Sequence, residues 1–500
     1  FTEQEIADMK IYNAADVDQC YGLLRRLIPQ TQKNEVKLID MTIRMLIEPH
    51  FNTDVELLAN TLAEESARKQ AMLIEAARQF GVKESGMTDD ESAEAALKLL
   101  SSSAKFATFL RTIGVDVPTK VSNTTGKDIP ALAKTDEAFL ALQEHDNPLV
   151  ASAAQARLDA KSTILQTRIQ AFMAASDAHP DKQVPIPLKY YGADTTGRWS
   201  GWGYNPQNLP RVNPYSPKPS DALRKSLVAP AGHKVVVADL SGIELRVNHF
   251  LWKVPASMEL YQADPEKADL YKDFASKLYD VPVDQVTKVQ RQVGKVAHLG
   301  LGFGAGHVTF QKVAKLMGGV DITEQESREI VETWRGSYSE IVRGWKTCHA
   351  CLPTIMRGAT GSSVDPWGMV TPVPEGLKTP KGLIRYPDLR TERNEDDNRM
   401  EFMYGNGRNK ARIYAGKIDE NIVQHLARCV IADNALTVQQ VTGLNPALMV
   451  HDELVYVVPD EDAQNVLDTV QNVMRTPPKW WPELVTWSEG DIADTYGDAK

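Results

Sequence analysis

Apolar residues recur every three to four positions along residues 35–80 and 151–176, as in Val55, Leu58 and Leu62, or Leu158, Ile164, Leu165 and Ile169. With Ala, Glu, Arg and Gln abundant around them, that spacing predicts amphipathic helices. The stretch between is polar. Within it residues 114–136 hold Pro118, Pro130, Gly126 and the run Ser122-Asn123-Thr124-Thr125, which predict a flexible tip. Residues 181–235 change character. Most of a Pro- and aromatic-rich connection, GRWSGWGYNPQNLPRVNPYSPKP, leads there into the apolar run His233–Ala238, a predicted strand. Helical spacing returns over 259–350. Residues 361–409 read as loop, and their acidic run Glu395-Asp396-Asp397 is most simply solvated. A last helix near 417–441 precedes ALMV and LVYVV, two apolar runs flanking His451, Asp452 and Glu453. Such runs with a short polar break predict a hairpin with both carboxylates at its tip. No internal repeat or low-complexity tract is visible.

Composition changes this picture little. With 500 residues, 42% hydrophobic and 24% charged, the chain suits an ordinary protein of several subdomains. No apolar run approaches a membrane span, and residues 1–30 lack the pattern of a secretory signal, so no membrane partner and an intracellular setting are expected. Four scattered cysteines, Cys20, Cys348, Cys351 and Cys429, make no disulfide framework and fit a reducing compartment. The formal charge is −10, from 56 basic and 66 acidic residues, so global charge does not point to nucleic acid and local clustering would have to supply it. Residue 1 is Phe and a helical-looking stretch begins at once, which suggests a start inside a larger product.

Candidate chemistry begins with the carboxylates. Two held together on a rigid turn repel unless a cation or donor compensates them, so Asp452 and Glu453 suggest an oxygen-ligand metal site. Alone, such a pair is more often a solvated turn. VVVADLSGIELRV, residues 235–247, is a second strand ending in an acidic residue, Asp239, before a turn through Ser241 and Gly242. A lone Asp there is usually a cap, but two strand-end aspartates far apart in sequence look like the ligands of a two-metal centre. Between them, in KVQRQVGKVAHLGLGFGAG, Arg291 and Lys295 share one helical face with Leu299 and Phe303. Beside a metal pair this face could clamp a polyphosphate; otherwise it is a solvated basic edge. Gly300, Gly302, Gly304 and Gly306 lack the spacing of a dinucleotide fingerprint and suggest close packing. Cys348 and Cys351 form one CxxC without a second ligand pair and are expected to be ordinary packing.

DLSGIELRV, RQVGKVAHLGLGFG and VHDELVY, in this order and at these separations, resemble motifs A, B and C of family A DNA polymerases, the bacterial DNA polymerase I class with its phage members. TGRWSGWGYNPQNLPR resembles that family's template-binding signature, and the likeness runs from about residue 35 to the C-terminus. The resemblance implies an α+β right-hand polymerase fold. Its regions would be a remnant of a 3′–5′ exonuclease domain (1–34), a helical thumb (35–180), an antiparallel palm (181–258 and 410–500) and helical fingers (259–409). The implied activity is template-directed addition of dNTPs to a primer 3′-hydroxyl, in replication or repair. The implied cofactors are two Mg²⁺ ions, with Mn²⁺ as a substitute. They would be held by Asp239, Asp452 and the Leu240 carbonyl.

By the same resemblance Arg291 and Lys295 contact the triphosphate, Lys295 can protonate the leaving pyrophosphate, and Glu453 supports the metal site. Glu244 excludes the ribose 2′-hydroxyl, and Leu299, Phe303 and Tyr271 border the incoming nucleotide. Arg198, Asn205, Gln207, Asn208, Asn421, Gln424 and His451 line the primer-template track. The sequence departs from the family's usual residues at Leu240, Gly242, Leu299, Phe303 and Tyr271. Leu299 resembles a subset of phage enzymes and bears on dideoxynucleotide discrimination and turnover. Phe303, where Tyr is common, would deprive Glu244 of a hydroxyl partner and loosen ribose exclusion. Tyr12-Asn13-Ala14-Ala15-Asp16 resembles the last proofreading motif, but the site's other carboxylates are missing, so no proofreading is expected. Expected partners are primer-template DNA, dNTPs and replication accessory proteins, in the cytoplasm of a bacterium or a phage-infected host. Rival readings are a catalytically silent DNA-binding subunit, a single-subunit RNA polymerase, against which Glu244 argues, and a standalone nuclease, which lacks its ligands.

Overall fold

The run Val235-Val236-Val237-Ala238 lies at the centre of a four-stranded antiparallel sheet in the computed structural model, which describes residues 2–122, 126–211, 221–394 and 398–499. The strand order is Leu448–Val450, Glu453–Pro459, His233–Leu240, Ser488–Ala493. Val235, Val236 and Val237 are essentially inaccessible to solvent, and each such side chain contributes about 1.5–3 kcal/mol of burial. Helix Ala463–Arg475 packs Val466, Leu467, Val470 and Met474 against the sheet. The 28-residue helix Ala415–Thr442 is buried on most sides, between Ile243–Leu251 and Ser339–Met356. Its entry needs glycine: a Cβ on Gly416 would lie 1.9 Å from the Phe303 carbonyl oxygen.

Residues 259–350 are helical as expected. The helices Leu270–Tyr279, Lys288–Leu301, His307–Gly318, Glu324–Ser337 and Ser339–Met356 follow one another, two of them opened by capping boxes, Thr287 with Gln290 and Thr323 with Glu326. The helical expectations for 35–80, 151–176 and 417–441 also hold, as Lys33–Ile47 and Val55–Gln79, Pro148–Lys161 and Ile164–Ala178, and Ala415–Thr442. A separate hydrophobic core runs from Leu73 to Ala160, whereas Leu38, Met41, Leu58, Ile169 and Phe172 join the main core around the sheet. The expected thumb region is therefore rooted in the main body and carries its own lobe. That lobe meets helix His307–Gly318 through Lys312–Glu137 at 2.6 Å and Lys315–Glu144 at 3.7 Å.

Three expectations change. The polar stretch before residue 114 contains helices Asp89–Ser101 and Ser103–Thr112, the first opened by a Thr88–Glu91 capping box. The expected tip over 114–136 contains a small hairpin, Thr119–Val121 with Asp128–Pro130. The loop-rich segment 361–409 carries most of two three-stranded sheets, with strands of three to five residues. Strands that short, with Lys, Arg and Glu among their residues, show no sustained alternation. Asn123–Thr125, part of the Pro-rich connection, and Glu395–Asp397 lie outside the described residues. Residues Glu3–Leu27 form one helix with no buried side chain, and Tyr12 and Asp16 are both exposed on it. Among the described residues no helix is long and apolar enough to cross a membrane.

Candidate functional site

Asp239 lies on one strand and Asp452 in the turn that leads into its neighbour. Asp239 pairs with Glu453, and one step further the Leu240 N–H donates to the Asp452 carbonyl oxygen at 3.0 Å. The hairpin closes with only two residues, His451 and Asp452, since Val450 already pairs with Glu453. His451 has a φ of +53°, in the left-handed region, at a cost of about 1–3 kcal/mol for a non-glycine residue. This corrects the expectation that both carboxylates sit at the tip. A two-residue turn makes Glu453 the first residue of the next strand, where it is 2% exposed and accepts the Tyr496 O–H at 2.7 Å. Tyr496 lies in turn under the Arg224 guanidinium, 4.1 Å from its ring centroid.

The expected ligands Asp239, Asp452 and the Leu240 carbonyl would all offer oxygen. Such a set suits Mg²⁺, which takes one or two carboxylates and completes its shell with water and phosphate oxygens. Among the described residues no group of three or more His, Cys, Asp and Glu side chains is placed to hold a metal. The donors thus fit an ion shared with substrate better than a closed structural site.

A cleft of about 340 Å³ brings together seven of the expected residues: Arg198, Glu244, Tyr271, Leu299, Gln424, His451 and Asp452. Arg198 donates to Glu244 at 3.1 Å. Glu244 keeps 40% of its side chain accessible through the cleft but is crowded by protein elsewhere. Its pKa is raised, first by burial and further by Glu420 nearby, with Arg198 opposing. Burial raises the Tyr271 hydroxyl as well. Arg291 opposes that shift, while Asp269 and Asp452 add to it.

The other wall is helix Lys288–Leu301. Val293, Val296, Ala297 and Leu301 are buried, whereas Lys295 and Leu299 are exposed, Leu299 at 55%. Arg291 donates to Asp269 at 2.7 Å and lies 5.3 Å from the Tyr271 ring centroid. Lys295 has no ion pair among the described residues. The helix approaches Tyr271 closely because residue 294 is glycine; a Cβ there would be 2.2 Å from the Tyr271 carbonyl oxygen. Phe303 does not continue the Arg291–Lys295–Leu299 stripe. The helix ends at Leu301, and Phe303 packs partly buried against the core.

Asp239, Leu240, Arg291, Lys295, Phe303 and Glu453 are not in the cleft lining, and neither are four of the seven residues expected along the primer-template track. Gln207 is buried and donates to the Met449 carbonyl oxygen at 3.2 Å, bracing the strand before His451. Asn205, with φ +49°, opens the turn Pro206–Asn208. Asn208 is exposed, and its carbonyl oxygen accepts from Arg168 at 2.7 Å. Asn421 is buried and donates to the Tyr386 hydroxyl at 3.2 Å. Cys348 and Cys351 are buried thiols, as packing requires, and burial pushes Cys351 up to about 12.

Sequence reasoning missed Arg428, which also lines the cleft and is 4% exposed. It donates to the Gly197 carbonyl oxygen at 3.0 Å and to the Glu35 carboxylate at 3.3 and 3.0 Å. Trp199, Tyr190 and Tyr191 surround it, with ring centroids at 4.9, 5.6 and 5.6 Å. The signal was a spacing: Arg428 stands one helical turn after Gln424.

Residues 72–350 match DNA polymerase family A. The DNA polymerase of Bacillus phage SP02 is 27% identical over 372 residues, which cover 67% of this chain and 56% of that protein. DNA polymerase I of Synechocystis sp. is 24% identical over 353 residues, covering 68% of this chain and 32% of that protein. The chain thus spans about half or less of these relatives' length. A solved structure of the POL domain of Pol1 from M. smegmatis, in complex with DNA primer-template and dNTP, superposes with a TM-score of 0.63 at 18% identity. That likeness covers 90% of this chain and 68% of that one, and it shows a polymerase-domain fold.

Proposed function

The chain belongs to DNA polymerase family A, and on that premise we propose that it adds dNTPs to a primer 3′-hydroxyl under the direction of a DNA template. The observation that carries the proposal is the cleft, where Asp452 from the hairpin meets Glu244 from the second aspartate strand's helix and Tyr271 and Leu299 from the facing helices.

Asp239, Asp452 and the Leu240 carbonyl would hold two Mg²⁺ ions, or Mn²⁺ in their place. Bound there, the ions would supply Lewis-acid activation of the 3′-hydroxyl and charge neutralisation at the leaving pyrophosphate. The chain's residues do the rest. Lys295, exposed and without an ion pair among the described residues, is available to a triphosphate and can deliver a proton to the departing pyrophosphate. Arg291 holds Asp269 through Nε–H and would offer the same phosphates its terminal nitrogens. Glu244, held by Arg198, walls the cleft where a ribose hydroxyl would need a partner, and an added hydroxyl left unpaired there is disfavoured. Arg198, Gln424 and His451 face the same space and would meet the primer-template. Glu453 acts indirectly, anchoring the Asp452 turn through Tyr496. No proofreading is assigned to this chain, because Tyr12 and Asp16 stand without the other carboxylates that an exonuclease metal pair needs.

Extension of a labelled primer on a DNA template with Mg²⁺ tests the reading. DNA-templated incorporation of dNTPs in preference to rNTPs, abolished by chelator and weakened by salt, is expected. Preference for rNTPs would favour an RNA polymerase, and duplex binding without extension would favour a silent subunit. A mismatched primer terminus incubated without dNTPs is expected to stay intact.

A further inference from the structure

Resting on the polymerase reading, we propose that Arg428 is a positioning residue which, clamped by Glu35, holds Arg198 in the cleft against Glu244.

The backbone around Arg198 is gripped from one face of helix Ala415–Thr442. His425 holds the Thr196 carbonyl oxygen through Nδ1 at 3.0 Å, and one turn on Arg428 holds the Gly197 carbonyl oxygen through Nε at 3.0 Å. Because both acceptors are carbonyls, His425 carries its proton on Nδ1, and its Nε2 faces the Thr379 hydroxyl at 3.0 Å. On the other side of Arg198, the Trp199 indole lies under the Arg428 guanidinium and donates to the Thr42 hydroxyl at 2.8 Å. Gly197 takes a φ of +72°, and a Cβ there would meet the Tyr191 ring at 2.5 Å. Residues 196, 197 and 199 are thus each held, and Arg198 is the side chain of that run that lines the cleft and reaches Glu244.

Arg428 is itself oriented. Its two terminal nitrogens both meet the Glu35 carboxylate, which also accepts the Tyr190 hydroxyl, and three aromatic rings border the guanidinium. A planar fork with five donors can serve a carboxylate and a carbonyl at once while stacking on rings; a lysine ammonium cannot. Glu35 comes from helix Lys33–Ile47, so this clamp joins the start of the expected thumb region to the floor of the cleft. With its donors directed at Glu35 and Gly197, Arg428 acts on a substrate only through where it puts Arg198.

A purely structural role would change stability alone, so the test uses kinetics and a double-mutant cycle. Primer extension would be measured for Arg198→Ala, Arg428→Met, Arg428→Lys, Glu35→Gln and the Arg198→Ala/Arg428→Met pair, with KM for dNTP and primer-template separated from kcat and melting temperatures recorded. Misplacement of a substrate-facing group by about 1 Å can cost roughly 100-fold. Arg428→Met is therefore expected to lower kcat/KM by roughly 10- to 100-fold, Arg428→Lys to recover little of it, and the double variant to be no worse than Arg198→Ala. If Arg428→Met does not fold, Arg428→Lys and Glu35→Gln carry the same comparison against Arg198→Ala. Losses that multiply in the double variant, or a lowered melting temperature with unchanged KM and kcat, would overturn the positioning role while leaving the polymerase reading in place. A parent that fails to extend the primer would overturn both.

Discussion

The wall of the cleft formed by the sheet and helix Ala415–Thr442 is held by buried polar groups that satisfy one another: Arg428 with Glu35, Glu453 with Tyr496, Gln207 with the Met449 carbonyl. The facing wall, helix Lys288–Leu301, buries Val293, Val296 and Ala297 behind it but leaves Lys295 and Leu299 at the surface. The first wall must keep in place one aspartate on a strand and another in the turn beside it, and buried, paired polar groups fix geometry because any loosened one loses its hydrogen bond in a low-dielectric setting. The second must meet a polyanion, and a cation fully paired inside the protein could do so only by giving up its partner. Lys295 stands ready, and Arg291 is halfway, shared with Asp269.

Breaking the facing wall should cost chemistry and not folding. Lys295→Ala is expected to lower kcat by about 10²–10³, within the range for a lost general acid, with an unchanged melting temperature; single-turnover rates and thermal melts check both. A large drop in melting temperature would remove the distinction between the walls.

Breaking the sheet wall should do the reverse. Tyr496→Phe leaves the buried Glu453 carboxylate without its hydroxyl donor, and such a loss costs about 1–3 kcal/mol, readable by denaturant unfolding. The effect on KM for dNTP should be minor.

His425 sharpens the same point through pH. Burial lowers its pKa to about 4, below the ordinary value near 6.5. The unfolded chain therefore takes up this proton first as pH falls. The stability tied to neutral His425 is fully present above about 6.5 and is lost as pH falls toward 4. His425→Gln is expected to flatten the decline in melting temperature between pH 6.5 and 4. An equally steep decline in that variant would assign it to other groups.

The smallest effect is expected at Leu299. Being 55% exposed, it should accept Leu299→Phe within about 0.5 kcal/mol of stability, while KM for a dNTP and the ratio of dideoxy- to deoxynucleotide use shift measurably. Unchanged nucleotide kinetics would move Leu299 out of the nucleotide's path.

The contrast between walls also explains what the sequence made legible. The strand through Val235–Val237 and the hairpin at 448–459 were visible because continuous apolar runs bounded by turn residues have few other solutions. The exposed stripe of Arg291, Lys295 and Leu299 followed from helical spacing. Glu453 was misplaced because spacing shows two adjacent carboxylates but not which of them the turn takes, and His451 adopts a left-handed conformation that no residue type there announced. Arg428 was passed over because one arginine in an apolar helix reads as a solvated position; its partners, Glu35 and Gly197, lie 393 and 231 residues away. Asn421, assigned to the template track, points instead to Tyr386, since the resemblance locates a helix but not every side chain's face. Helix Asp89–Ser101 was within reach, because Thr88 and Glu91 have capping-box spacing.

The most direct test compares primer extension by the parent with that by Asp239→Asn and Asp452→Asn, alongside primer-template binding by fluorescence anisotropy. Extension by the parent, loss of at least about 10³-fold in both variants, as expected when metal-held charge at the reacting phosphate is removed, and binding retained in all three would support the two strand-end aspartates as the centre of the chemistry. Either variant extending at near-parental rate while binding DNA normally would contradict it.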